Sequence, residues 1–171
     1  MMGQRLKQFC SAMLARLTDD DRGYVKGLLT EKEQELFDRL SIPDQCHAIR
    51  VARTIEQLLT ADCDARLAVR AGLLHDIGRT GRDMGTGGKV ISVLARAAMP
   101  GLSRRLARYG RKKTGLRHIL YVYYRHPQIG AGMLREIGLL REAAIVERHH
   151  CAPSPDDSPE LCLLRRADEM N

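Results

Sequence analysis

The chain has 171 residues, of which 44% are hydrophobic and 29% charged, with a formal net charge of +7. This balance excludes a disordered or collagen-like chain, and the length fits one domain with an ordinary core. No apolar run nears the ~20 residues that cross a bilayer, and the stretch from Met1 to Lys7 lacks the apolar region of a signal peptide, so a cytoplasmic protein with no transmembrane segment is expected.

Aromatic residues make up 4% and Trp is absent, so Leu, Ile, Val, Ala and Met must build the core, which favours helices. Residues 4–17 place Leu6, Phe9, Cys10, Met13, Leu14 and Leu17 near helical spacing and predict an amphipathic helix. Thr18-Asp19-Asp20-Asp21 breaks it and can cap the next segment. Thr30-Glu31-Lys32-Glu33 has the form of a capping box and predicts a helix to about Leu40. Ser41-Ile42-Pro43-Asp44 starts the next, to about Leu59, with His47 near its apolar face. Asp62-Cys63-Asp64 begins a helix that delivers Leu73-Leu74-His75-Asp76-Ile77-Gly78-Arg79. Gly78, Gly81, Gly85, Gly87 and Gly88 predict a loop, and it lacks the spacing of a P-loop. Residues 89–99 and 103–109 read as helices split by Pro100-Gly101, and 116–124 as another. His126-Pro127 then starts a helix carrying Ile129, Met133 and Leu134, with Pro in its first turn. Helices are predicted over 140–150 and from Glu160 to Met170, joined by the Pro-rich stretch 151–159. With no alternating strand and no repeat, the predicted fold class is all-α.

The chemistry concentrates at His75-Asp76. A charged Asp buried behind Ala71, Gly72, Leu73 and Leu74 is costly without a cation or a donor. A metal is therefore the first partner to seek. His47, His126, His149, His150 and Asp168 all sit at edges of helix-like apolar segments. Imidazole and carboxylate suit Fe, Mn, Zn or Co rather than Ca. His118 falls outside these segments and reads as a surface or core histidine. The five cysteines, at 10, 46, 63, 151 and 162, form no C-x-x-C pair and argue against a disulfide framework. Cys46 and Cys151 adjoin candidate ligands, but small half-buried thiols are the simpler reading. The basic run 103–117 could attract nucleic acid, an anionic membrane or a polyphosphate, or be a solvated face.

The ordered set His47, His75-Asp76, His126, His149-His150, Asp168 resembles the pattern of the HD superfamily of metal-dependent phosphohydrolases. His75-Asp76-Ile77-Gly78 is similar to the string of the HDIG subset. The run His126 to Leu134 resembles a segment of HD-GYP phosphodiesterases, although Cys151-Ala152-Pro153 replaces their Gly-Tyr-Pro signature. The acidic pair found after His-Asp in alarmone hydrolases is absent, whereas HD-type diadenosine-polyphosphate hydrolases are small and helical like this chain. The resemblance implies a helical HD bundle over 41–171 with a metal site between helices. The 51 positions between His75 and His126 depart from that pattern and read as a basic helical insertion at about 81–125, and residues 1–40 as an N-terminal helical extension packed on the core. Two divalent ions are implied, Fe or Mn ahead of Zn, Co, Ni or Mg. His47, His75, Asp76 and Asp168 would hold the first. His126, with His149 or His150 and a bridging Asp76, would hold the second, His149 being preferred. Asp76 and Arg79 would be the catalytic residues, Arg79 gripping phosphate through two parallel N–H bonds. The implied activity is hydrolysis of a phosphomonoester or phosphodiester, of a nucleotide, by a metal-activated hydroxide. A phosphorylated small molecule is then the partner, with 104–117 open to a polyanion or nucleic acid. The alternatives are a di-iron oxygenase of the superfamily, or a non-catalytic metal-containing signalling or nucleic-acid-binding adaptor.

Overall fold

Thr18 starts the first helix by exchanging bonds with Asp21. Its N–H donates to Asp21 Oδ2 and the Asp21 N–H donates to Thr18 Oγ1, both at 3.1 Å. This closes a capping box at the head of α1 (Asp19–Leu28). The computed structural model describes residues 16–79, 91–92, 94–95, 98–108 and 115–171. The helix predicted over 4–17 lies almost wholly outside them, as do Gly81, Gly85, Gly87, Gly88 and the Arg111-Lys112-Lys113 part of the basic run.

Thr30 heads α2 (Glu31–Phe37), its N–H donating to Glu33 Oε2 at 3.2 Å. The helix stops short of the predicted Leu40. The Leu40 N–H bonds Phe37 O at 3.0 Å in a tighter turn, and Gln45 Nε2 donates to Leu40 O at 2.9 Å. Those bonds satisfy the end groups of α2 and redirect the chain. Then α3 (Ile42–Leu58) begins with Pro43 in its first turn. Asp64 Oδ1 accepts the Leu67 N–H at 3.1 Å to open α4 (Ala65–Leu74), which passes into a 3-10 turn at Ile77–Arg79. The remaining helices are α5 (Pro100–Arg108), α6 (Leu116–Glu136), α7 (Leu140–Arg148) and α8 (Pro159–Met170). Among the described residues all regular structure is helical, and no helix is long and apolar enough to cross a membrane.

Two expectations are corrected. Pro100 and Gly101 do not split two helices; they form the first turn of α5, and the irregular residue is Met99. Pro belongs at that position because its missing N–H has no partner there anyway. Likewise His126-Pro127 starts no helix: both lie inside the 21-residue α6. An interior Pro costs about 3 kcal/mol relative to Ala, and here it leaves the Tyr123 carbonyl to His126.

The bundle is organised around α3 and α4, which pack along each other, with α8 laid against both. On the other side α6 pairs with α7, and the 3-10 turn nestles on α6. One apolar cluster runs from Val25 and Phe37 through Ile49, Ile55, Leu73 and Leu74 to Val146 and Leu164. A buried triple of charges ties three helices together: Arg70 reaches Glu33 at 2.6 Å and Glu142 at 2.8 Å. Gly138 makes the reversal between α6 and α7. At φ +85°, a conformation that side chains disfavour, it lets the Leu139 N–H bond Leu134 O at 2.9 Å and its own N–H bond Arg135 O at 3.1 Å. The outcome is that α3, the end of α4, the middle of α6, the end of α7 and the end of α8 converge.

Candidate metal centre

Three of the imidazoles at that convergence, those of His75, His126 and His149, are each aimed by a backbone carbonyl three residues back. α4 ends at Leu74, so Gly72 O has lost its helical partner. His75 Nδ1 donates to it at 2.8 Å. α7 ends at Arg148, and His149 Nδ1 takes Val146 O at 2.6 Å in the same way. For His126 the free carbonyl is created mid-helix. Pro127 has no N–H to give to Tyr123 O four residues back, and His126 Nδ1 donates there instead, at 2.9 Å. All three rings carry a proton on Nδ1 and turn Nε2 inward, an arrangement typical of histidines that bind metals.

Asp76 is 0% exposed and stands between two groups of side chains. On one side, His75 Nε2 lies 3.3 Å from Asp76 Oδ2 and 3.7 Å from Asp168 Oδ1, while His47 Nε2 meets Asp168 Oδ1 at 3.0 Å. On the other, His126 Nε2 lies 3.3 Å from Asp76 Oδ1, and the His126 ring is 5.6 Å from that of His149 and 5.0 Å from that of His150. The donor atoms of His47, His75 and Asp168 lie within 4.8 Å of one another, as do those of His126, His149 and His150. Thus the sequence-predicted His47, His75, Asp76, His126, His149, His150 and Asp168 come together, His150 on the exposed rim.

The electrostatics fit a cation. Burial would push the Asp76 carboxyl up, but Arg79 and His75 hold it well below the usual range. Burial likewise opposes ionisation of Asp168, and its bond from His47 and the nearby His75 outweigh that. Both carboxylates are charged at neutral pH. Burial pushes His126 and His149 down, His149 to about 3, and lowers His150 as well. These three imidazoles are neutral at pH 7. His75 differs: burial opposes its protonation, but Asp76 raises it to about 9. Even so, His75 Nε2, His149 Nε2 and both Asp76 oxygens make no hydrogen bond in this buried space. Native interiors keep few such atoms, each costing ~1–3 kcal/mol. Together these four offer nitrogen and oxygen donors of the kind that could hold a transition-metal ion.

These protonation states make metal binding depend on pH. In chelator-stripped protein His75 carries a proton at pH 7 that a metal must expel, whereas the other three buried or rim imidazoles are already neutral. Metal affinity should rise about tenfold per pH unit from 7 to about 9 and then level off. Apoprotein stability should run the other way. The contribution of His75 is complete below its ordinary 6.5 and is lost as pH rises through about 9. Titration of Mn²⁺ in buffers of differing ionisation heat checks the first statement, and melting with chelator present checks the second.

Arg79, in the 3-10 turn, places Nη1 3.0 Å from Asp76 Oδ2 and Nη2 3.5 Å from His126 Nε2. It stands at the mouth of the second group. Gly78 is not the loop residue expected. It is buried where the turn touches α6, and a Cβ there would lie 2.0 Å from His126 O and 2.7 Å from Gly130 N. Only backbone without a side chain lets Asp76 come so near His126.

Sequence reasoning missed Arg165 and Asp157. Arg165 Nη2 donates to Arg148 O at 3.0 Å and Nε to His149 O at 3.3 Å. It thereby caps α7 and holds the turn that presents His149 and His150. Asp157, its side chain buried, pairs with both Arg165 and Arg148. The one signal for Arg165 was its spacing three residues before Asp168, which puts both on one face of a helix. Glu147 pairs with Arg135 and orients no ring, and His118 stacks on Tyr121, 6.4 Å between ring centres, apart from the cluster. Neither Cys46 nor Cys151 joins either ligand group among the described residues.

Pro127→Ala separates local stability from site geometry. The restored N–H would compete with His126 for Tyr123 O while relieving the ~3 kcal/mol cost of an interior Pro. The variant should melt no lower than the parent, apart from what the lost ring packing removes, yet bind metal at the His126 group ~10–100-fold more weakly, as when an outer partner of a ligand is lost. Parallel melting curves and metal titrations read both quantities.

Comparison with protein-family models, with curated proteins and with solved structures gives no match for this chain.

Proposed function

We propose that the chain is a metal-dependent phosphohydrolase of the HD superfamily, acting on a phosphomonoester or phosphodiester of a nucleotide. The observation that carries this reading is Asp76: a buried carboxylate with one oxygen toward His75 and the other toward His126, each beside a trio of potential ligands. That is the donor set for two divalent ions, Fe or Mn before Zn, Co, Ni or Mg, with Asp76 shared. Such ions would supply a nucleophile at neutral pH and offset charge on phosphoryl oxygens.

The chain's own residues do the rest. The neutral His126, His149 and His150 keep lone pairs available at the pH of the cell. The Gly72, Tyr123 and Val146 carbonyls stop the rings from turning. Arg79, a quarter exposed at the mouth, can meet a phosphate with two parallel N–H groups. Asp76 and Arg79 are thus the proposed catalytic residues.

The test uses the full chain, loaded with Mn²⁺ or Fe²⁺ under reducing conditions and given bis-p-nitrophenyl phosphate and a panel of nucleotides. Metal-dependent release of phosphate or nitrophenolate that is lost on chelation supports the reading. Bound metal with no hydrolysis of any member of the panel overturns it, and O₂ consumption by the Fe²⁺ form would assign the site to an oxygenase instead.

A further inference from the structure

Charge is distributed unevenly along the chain. Residues 84–135 hold eleven Lys and Arg and no Asp or Glu, whereas the remainder holds seventeen Lys and Arg against 21 Asp and Glu. All of the net positive charge therefore comes from this segment. Within it, α5 buries Ser103 and Ala107 and exposes Arg104, Arg105 and Arg108. Ser103 Oγ is bonded to Tyr124 Oη at 2.8 Å, which seats α5 on α6 with its arginines turned away. Next to the arginines in the chain are exposed apolar side chains. Leu94 is 61% exposed, Met99 55% and Leu102 47%, with Ile91 and Leu116 also exposed. Of the nine large hydrophobic side chains exposed among the described residues, five fall within 91–116.

We propose that α5 and the residues preceding it dock on an anionic lipid bilayer. Each Lys or Arg near an anionic leaflet favours binding roughly fivefold, and no acidic residue of this segment opposes that attraction. The aliphatic side chains decide between a membrane and a nucleic acid. A nucleic acid offers them no apolar phase, and its bases stack on aromatic rings or guanidinium planes rather than on Leu or Met. At the boundary between headgroups and acyl chains the same side chains leave water. A helix with cations on one side and aliphatics beside them is the form that such interfacial elements take. The inference is independent of the metal centre, although α6, on which α5 rests, also carries His126.

The experiment is co-sedimentation of the full chain with vesicles of phosphatidylcholine, alone or mixed with phosphatidylserine, at ~0.15 M salt. The mixed vesicles should bind at least ~10-fold more tightly. Replacing Arg104, Arg105 and Arg108 by Gln should weaken binding to them by about 100-fold. The triple change Leu94→Ser, Met99→Ser, Leu102→Ser leaves the charge unaltered and should weaken it by about 10-fold or more. These positions are exposed, so melting temperatures should stay near that of the parent. Should a triple variant unfold, Arg105→Gln and Met99→Ser alone carry the comparison. No preference for phosphatidylserine overturns the proposal. So does insensitivity to the apolar changes, or steeply salt-dependent binding to a single-stranded oligonucleotide in place of vesicles.

Discussion

Asp76→Asn should strip both ligand groups of metal at once. Asn keeps the size of the side chain but removes the charge, and its amide puts a donor toward one of the two ligand trios. Losing an outer partner of a metal ligand costs ~10–100-fold in affinity, and a shared ligand should cost more than ~100-fold. Hydrolysis should disappear with the metal. The fold should survive with a lowered melting temperature, because the change leaves the apolar core intact but removes the carboxylate that faces Arg79 Nη1 at 3.0 Å and His75 Nε2 at 3.3 Å. Arg79 and His75 would lose their buried counter-charge, so the proton on His75 should become easier to remove. Metal analysis and a melting curve on the same preparation test this. A folded variant with the parent's metal content would show that Asp76 is not the shared ligand.

Gly78→Ala should be the most damaging glycine-to-alanine change among the described residues. Its Cβ would lie 2.0 Å from His126 O, 2.9 Å from His126 C and 2.7 Å from Gly130 N, all of them backbone atoms. No side chain can swing aside, so the 3-10 turn must move off α6. Overpacking on this scale costs about 3 kcal/mol or more, equivalent to a drop of roughly 6–12 °C in a domain of this size. The same displacement would carry Asp76 away from His126, which now lie 3.3 Å apart, so metal binding at the His126 group should fall beyond what stability explains. Gly130→Ala is the internal comparison. Its Cβ would lie 3.1 Å from Gly78 N and 3.3 Å from Ile77 Cγ1, so the loss should be smaller. Equal melting temperatures for Gly78→Ala and the parent would mean that the close approach constrains nothing.

The parts of this molecule that were legible in its sequence are those written locally. Thr18-Asp21 and Thr30-Glu33 are three-residue capping signals, and each opens a helix. Asp64 does the same. The ligand candidates were legible because each is a polar residue at the edge of an apolar helix, where only convergence could account for it. Pro127 was misread for a physical reason. Pro is at home in a first turn, and the rule that it ends helices ignores a neighbour able to use the carbonyl it frees. His126 is that neighbour. Gly78 was read as loop chemistry because a glycine that permits backbone contact looks the same, in one dimension, as a glycine that permits a turn. Arg165 and Asp157 were invisible because the carbonyls and charges they join come from separate segments. The buried triple Glu33, Arg70 and Glu142 was missed on the same account.

Asp76 and the imidazoles around it are proposed to form a cation centre. This proposal is tested most directly by the metal content of the full chain after loading with Mn²⁺ or Fe²⁺ under reducing conditions and removal of unbound ion, measured beside Asp76→Asn. Two ions per chain in the parent, and close to none in the variant, are predicted. A parent that retains no metal, or a folded variant that retains as much as the parent, would contradict it.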